Sequence, residues 1–357
     1  MRKESLALLE QLTNTPAPGG HETAVQRIWL DYVTPYADEI YTDAYGNAAA
    51  LLNPGAAPRV MIDGHCDEIC MIVKHIDDKG FIYVQAFGGI VNSTLKTKRV
   101  NIHAAQGIVR GVFESIPKWI KNTKGEDKAP EEIFETWIDI GARDEKDAKK
   151  QVAVGDMVTF EERFELLNKN IAVGRAFDNK AGTWVTAEAF RLIAQNKTRP
   201  ECCVIAASST QEETGLHGAR MLGGALKPDV MLAIDMTHAT DTPGVDLRRL
   251  GKVTLGKGPS IGIGRENHPE ITQRLRKVAK AGKIPVQMEA FSAVGGTDAL
   301  AVWTQNGGTP SSVVSVPTRY MHSTVEMIHL SDMENCARLV SRFCLSLKKD
   351  ELFKVKI

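Results

Sequence analysis

Two adjacent carboxylates, Glu212 and Glu213, stand in the run Ser208-Ser209-Thr210-Gln211-Glu212-Glu213-Thr214-Gly215, directly after an apolar segment with the profile of a buried strand. Like charges this close are unfavourable where water is scarce. A nearby cation removes the difficulty and divides the labour, because one carboxylate can hold a metal ion while the other carries a proton. Four further polar clusters fall at or just after apparent strand ends: His65-Cys66-Asp67, Asp178-Asn179-Lys180, Asp235 and His322. In an extended segment alternate residues face the same side, so His65 and Asp67 can enter one cleft while Cys66 turns away. A ligating imidazole needs such a carboxylate neighbour to fix its tautomer.

Each cluster alone has an ordinary reading. Asp178 could cap the helix that begins near Ala181, Asp235 could end a strand, His322 could be structural, and Glu212-Glu213 could form a solvated turn. As a set they say more: two histidines and three carboxylates suffice for two divalent cations sharing one bridging carboxylate, with one glutamate left over. A hydrolase uses such a spare carboxylate to take the proton from the attacking water and pass it to the leaving group. The other histidines (His21, His75, His103, His217, His238, His268 and His329) fall in expected helices, turns or β segments and read as structural, with His238 the exception to watch because of its spacing from Asp235.

The elements that must position these groups follow from the apolar patterning. At 357 residues and 43% hydrophobic content the chain predicts two domains. Leu6, Leu9 and Leu12 mark a helix stopped at Pro16-Ala17-Pro18-Gly19-Gly20, and Glu22 to Val33 reads as a second. Val60 to Asp63 is a central strand delivering Gly64-His65-Cys66-Asp67-Glu68 at its C-terminal end, where α/β proteins place chemistry. From Val73 to Leu167 the texture changes to alternating β segments (Phe81 to Phe87, Gly107 to Phe113, Val152 to Phe160), punctuated by Asp77-Asp78-Lys79-Gly80 and Gly88-Gly89, with a charged exposed loop expected from Lys121 to Glu132. This is an inserted β-barrel-like module at 73–167. Strands alternating with helices resume afterwards: helices at Ala181 to Ile193, Glu270 to Ala281 and Asp332 to Leu347, strands at Val204 to Ala207, Val230 to Ile234 and Ser312 to Val316. The α/β domain is therefore discontinuous, 1–72 with 168–357.

Forty-four basic residues balance forty-four acidic ones, which leaves no electrostatic footprint for nucleic acid or an anionic membrane. No run approaches the roughly 18 apolar residues of a membrane span, and Met-Arg-Lys-Glu-Ser-Leu lacks the pattern of a secretory leader, so a cytoplasmic protein is expected. Six cysteines without zinc-knuckle spacing are expected as free buried thiols.

In this order and spacing the clusters resemble the glutamyl and deblocking aminopeptidases, dinuclear-metal exopeptidases that assemble into hollow tetrahedral particles. The resemblance rests on Asp63-Gly64-His65-Cys66-Asp67-Glu68-Ile69, Gly174-Arg175-Ala176-Phe177-Asp178-Asn179-Lys180, Thr210-Gln211-Glu212-Glu213-Thr214-Gly215-Leu216-His217-Gly218-Ala219, Ala233-Ile234-Asp235, Gly295-Gly296-Thr297-Asp298-Ala299 and Pro317-Thr318-Arg319-Tyr320-Met321-His322-Ser323. It implies a mixed-sheet α/β/α metallopeptidase domain, with the insertion serving dimerisation and assembly into a dodecamer. It further implies that His65 and Asp235 hold one metal, Glu213 and His322 the other, and Asp178 bridges them. Glu212 becomes the general base, Asp67 the orienter of His65, and Gly296, Thr297 and Asp298 part of the substrate pocket. Cys66, Cys70, Asn179-Lys180 and Leu300 depart from the commonest family pattern without removing a ligand. The expected activity is release of N-terminal residues from oligopeptides with two divalent ions, zinc or cobalt, manganese also fitting a mixed His and carboxylate shell. The alternatives are another metal-dependent amide hydrolase, a carboxypeptidase or deacylase; a glycosidase, whose paired carboxylates adjacent residues suit poorly; and a non-catalytic binding scaffold.

Overall fold

In the computed structural model, which describes residues 1–116, 120, 132–292, 296–355 and 357, apolar runs become the centre of a large mixed sheet. Arg59–Asp63 lies between Cys203–Ser208 and Val230–His238, all parallel, and Val230–His238 continues in parallel onto Ser311–Arg319. These strands are buried along almost their whole length, which is why they carry Val, Ile, Met and Ala without polar alternation. Antiparallel strands extend the sheet on both sides: Ala48–Leu52 and Glu39–Thr42 beyond Cys203–Ser208, and Glu326–His329, Ile171–Gly174 and Glu165–Leu166 beyond Ser311–Arg319. Ser260–Ile263 and Gln287–Ala290 branch from the same strand, completing eleven strands among the described residues.

Side-chain alternation sends the two faces into two cores. Val60 and Ile62 pack with Leu9, Leu12, Trp29, Trp184, Leu275 and Phe343 from the helices Lys3–Asn14, Thr23–Val33, Phe177–Ala194, Pro269–Ala281 and Leu330–Ser346. Met61, between them in sequence, faces the opposite layer with Leu222, Leu226 and Val302 from His217–Leu226 and Asp298–Val302. The result is the expected α/β/α architecture with a mixed sheet.

The β-rich insertion closes into a six-stranded barrel in the order Cys70–Ile76, Ile82–Phe87, Ile138–Asp139, Gly107–Phe113, Arg99–Ala104, Met157–Phe160. Met71, Val73, Val84, Val100, Ile102, Phe113 and Val158 fill it. Its first strand begins at Cys70, ahead of Val73, and Glu165–Leu166 has already joined the large sheet. Of the charged segment expected as a loop, residues 121–131 lie outside the described residues. All six cysteines are free and buried. Among the described residues no helix is long and apolar enough to cross a membrane.

Candidate metal centre

Two glycines let the elements that carry the site approach one another. A Cβ on Gly64, just past the central strand, would lie 2.6 Å from the carbonyl carbon of Gly182, and one on Gly182 would lie 2.6 Å from Ile234 O. The helix Phe177–Ala194 therefore crosses the ends of the strands leading to His65 and Asp235 at backbone contact. Asp178 and Asn179 depart from helical geometry at its start, and Asn179 is locked by donating from Nδ2 to Ile234 O (2.8 Å) and accepting from Gly182 N (2.9 Å). Asp178 is thus carried into the space beyond the strand ends instead of along the helix.

There it meets both histidines. Its Oδ1 lies 3.5 Å from His65 Nε2, and its Oδ2 lies 3.3 Å from His322 Nε2. His65 Nε2 also faces Glu212 Oε2 at 3.6 Å and Asp235 Oδ1 at 3.9 Å, whereas His322 Nε2 faces Glu213 Oε2 at 3.7 Å. One carboxylate with its two oxygens turned to two different imidazoles is the geometry of a bridging ligand. Nε2 of each imidazole points inward, and Asp67 stands behind the first, its Oδ1 3.3 Å from His65 Nδ1. That contact is ionic and poorly aligned as a hydrogen bond. Asp67 also accepts the backbone N–H of Glu212 (3.0 Å) and of Glu213 (3.2 Å), so a single carboxylate holds both His65 and the Glu-Glu turn.

The electrostatics call for a cation. Burial, reinforced by Asp178 and Asp67, pushes Glu212 up to about 7, and burial beside Asp178 drives Glu213 and Asp235 well above the ordinary carboxylate range. Burial works against a charged imidazole at His65, yet Glu212, Asp178 and Asp67 raise it well above its usual value. Asp178 is held down against burial by His322 and His65. Too many carboxylates share too little positive charge, and Glu213 Oε1 is buried without a hydrogen-bond partner among the described residues. Donor atoms of His65, Asp178 and Glu213, and of His65, Glu212 and Asp235, gather within 4.8 Å of one another. The residues present fit divalent cations held by nitrogen and oxygen ligands.

The loop expected at the substrate pocket has a divided environment. Gly296 is exposed and Thr297 half-buried, but Asp298 is 3% exposed, accepting from Ser209 Oγ at 2.8 Å beside the fully buried Asp63. Burial lifts Asp63 to about 6 and Asp298 well above its usual range. Asp298 faces the protein interior, and Gly295 lies outside the described residues. His238 ends its strand on the rim, where burial and then His322 keep it below its ordinary value. His103 pairs with Thr159 and His329 caps the helix Leu330–Ser346.

Four supporting groups escaped the sequence reading. Glu326 accepts from Asp178 N (2.9 Å) and His322 N (3.2 Å), fixing the backbone of a ligand candidate on each side. Glu68 is buried between Arg175 and Lys180, with Lys180 Nζ at 2.7 Å from its Oε1. Arg175 and Lys180 outweigh burial and hold Glu68 down to about 2, while burial brings Lys180 down to about 8. One acid and two bases within the quoted motifs were the available signal; Glu326 had none, since both its partners are backbone amides.

A family model described as M42 glutamyl aminopeptidase matches residues 46–339. The lysyl aminopeptidase of Pyrococcus furiosus is 29% identical over 345 residues, covering 96% of this chain and 97% of that protein. Among solved structures, the TET aminopeptidase of a marine sediment Thaumarchaeota archaeon shares 32% identity at a TM-score of 0.91 over 97% of each chain. The TET1 peptidase of Pyrococcus horikoshii, described as able to assemble into a tetrahedron or a large octahedral shell, shares 27% identity at a TM-score of 0.85, with 96% of this chain and 100% of that one covered.

Proposed function

This chain belongs to the M42 glutamyl aminopeptidase family, and on that premise we propose that it is a two-metal aminopeptidase releasing N-terminal residues from oligopeptides. The observation that carries the reading is Asp178, whose two oxygens face His65 and His322 separately while Asp235 and Glu213 flank the respective imidazoles. His65 and Asp235 would hold one cation, Glu213 and His322 the other, and Asp178 would bridge. When bound, zinc, cobalt or manganese supplies Lewis-acid polarisation of the water and of the scissile carbonyl.

The protein's own groups do the rest. Glu212, held up to about 7 by burial, has a carboxylate oxygen suited to take the proton of the attacking water near neutral pH and return it to the departing amine nitrogen. Asp67 orients His65 and fixes the turn that presents Glu212. Excess carboxylate in the cleft complements the ammonium of a free peptide N-terminus. Gly296 and Thr297 would contact the substrate, with the buried Asp298 anchoring their loop to Ser209.

Self-association into dimers and a dodecamer is part of the proposal, supported by Ile108 and Val112 standing exposed on the barrel strand Gly107–Phe113. Six free buried thiols suit a reducing compartment, which supports action in the cytoplasm.

The deciding experiment is Glu212→Gln. Turnover of an amino-acyl anilide should fall about 10²–10⁴-fold, the usual worth of a general base, with cation content unchanged. Near-normal turnover in this variant would remove Glu212 from its role. Equal hydrolysis of N-acylated substrates would favour a deacylase, and hydrolysis surviving a chelator would remove the metal from the reaction.

A further inference from the structure

The barrel reaches the site through a glycine turn. Beyond the strand Ile82–Phe87, Gly88 and Gly89 run across the Glu213 and His322 side of the cleft. A Cβ on Gly89 would lie 2.9 Å from His322 Nδ1 and 3.4 Å from its Cε1. A Cβ on Gly88 would lie 3.0 Å from Glu213 Oε2 and 3.3 Å from Glu213 Cβ. Two residues later Val91 N donates to His322 O at 3.1 Å. His322 itself sits in no regular element, has φ 61, and keeps its side chain 35% exposed. Its ring is bounded by a surface that has no side chain, and its backbone is pinned by Val91 on one side and Glu326 on the other.

We infer that the Gly88–Gly89 turn of the barrel is a positioning element that sets the poses of Glu213 and His322, and so governs the affinity of the cation held on that half of the site. The inference rests on the two-cation reading above. Closest real Cβ contacts are longer than 2.9 Å, so any side chain at position 89 must rotate the imidazole or push the turn away. Rotation carries a nitrogen ligand off its place opposite Asp178, and displacement of the turn pulls on the Val91 N–H that holds His322 O. Among the described residues, the side chains nearest a Cβ at either glycine are Glu213, Ile69 and His322, and not His65 or Asp235, which are held within the α/β domain.

Gly89 gives the cleaner test because its φ lies outside the left-handed region, so Gly89→Ala adds a contact without backbone strain; Gly88, at φ +88, would add both. Metal-free protein is titrated calorimetrically with Co²⁺ or Zn²⁺, and the Co²⁺ form is followed by its visible absorption. Wild-type protein should take two equivalents. Gly89→Ala should bind one as before and the other about 10–100-fold more weakly, the usual effect of disturbing a ligand's support. Gly55→Ala, at a site with nothing within 4 Å, should leave both intact. On a His322→Ala background Gly89→Ala should add no further loss. Val91→Pro, which removes the donor to His322 O at a residue whose φ of −78 suits proline, should weaken the same equivalent and serves if Gly89→Ala fails to fold. Two equivalents at wild-type affinity in both Gly89→Ala and Val91→Pro, equal weakening of both equivalents, or a loss that persists without His322 overturns the inference. Fewer than two equivalents in the wild type overturns the two-cation reading and this inference with it.

Discussion

The His65 side of the site and the His322 side are made from different material. His65 follows the innermost parallel strand at 1% exposure, and Asp235 lies inside Val230–His238 at 7%. Both are fixed by sheet register and by the Gly64 and Gly182 contacts with the helix Phe177–Ala194. Glu213 sits in a turn and His322 in a loop with left-handed backbone, and both depend on neighbours that are not their own secondary structure: Asp67, Glu326 and the barrel turn. A strand-end position is specified by the same burial that stabilises the domain. A loop position is specified by a few hydrogen bonds and close approaches, each of which a single substitution can remove. The two halves should therefore separate under mutation, the strand-held one failing only when the fold does.

Asp178→Ala should abolish that separation altogether, because it removes the carboxylate whose two oxygens face the two imidazoles, at 3.5 Å and 3.3 Å. Both cations should be lost and turnover should fall by at least about 10⁴-fold, in keeping with removal of the chemistry that metal and base supply together. Metal analysis of the purified variant checks this. Retention of one tightly held cation would show that the halves are independent sites and that Asp178 does not bridge them.

Glu68→Ala should strike the strand-held half through the fold. Arg175 and Lys180 would be left buried without their counter-ion, and breaking a buried pair in this way costs about 3–5 kcal/mol. The same carboxylate accepts from Ala17 N at 2.8 Å, so the segment after the first helix loosens as well. Denaturant unfolding of the metal-free protein should report the loss. A shift below about 1 kcal/mol, the scale of a surface pair, would mean that water reaches these groups.

Glu326→Gln should affect the loop-held half, at a cost in stability of about 1–3 kcal/mol for the buried N–H left without an acceptor. A carboxylate accepts both Asp178 N and His322 N, whereas an amide offers one oxygen and turns its NH₂ group to the other donor. The His322-side cation should weaken about 10–100-fold. Calorimetric titration would tell whether the His65-side cation stays nearer its wild-type affinity; equal weakening would remove the asymmetry drawn above.

What was legible in the sequence follows the same division. Strands such as Arg59–Asp63 and Val230–His238 announce themselves as apolar runs, and the helices Lys3–Asn14 and Leu330–Ser346 as apolar stripes, because burial imposes a composition. The clusters at the strand ends were visible for the same reason, as polar residues where apolar ones stop. Glu326 was not, since it acts on backbone amides and leaves no complementary side chain to notice. Gly88-Gly89 read as punctuation because a close approach is a property of two segments distant in sequence. Asp298 read as pocket lining from its neighbours, and its burial against Ser209 depends on a turn that no local pattern marks.

The smallest expected effect lies outside both halves, at Glu22. This carboxylate accepts from Gly20 N at 2.8 Å and from Gln211 N at 3.2 Å, bracing the approach to the Glu212–Glu213 turn from behind. Burial pushes it up to about 7 from an ordinary 4.5. Because the folded state holds the proton more tightly than the unfolded chain, folding takes up a proton between these values. The associated stability is complete below the ordinary value and is lost as pH rises through about 7. Glu22→Gln keeps an acceptor oxygen and has no charge to bury, so it should match the wild type near the acid end and exceed it by about 1–3 kcal/mol at about pH 8. Unfolding midpoints at both ends of this window test the sign, and a difference that does not change with pH would mean that Glu22 ionises in the folded protein as it does in water. Cation affinities on both sides should stay near wild type, since Glu22 bonds to the backbone of Gly20 and Gln211 and to no candidate ligand.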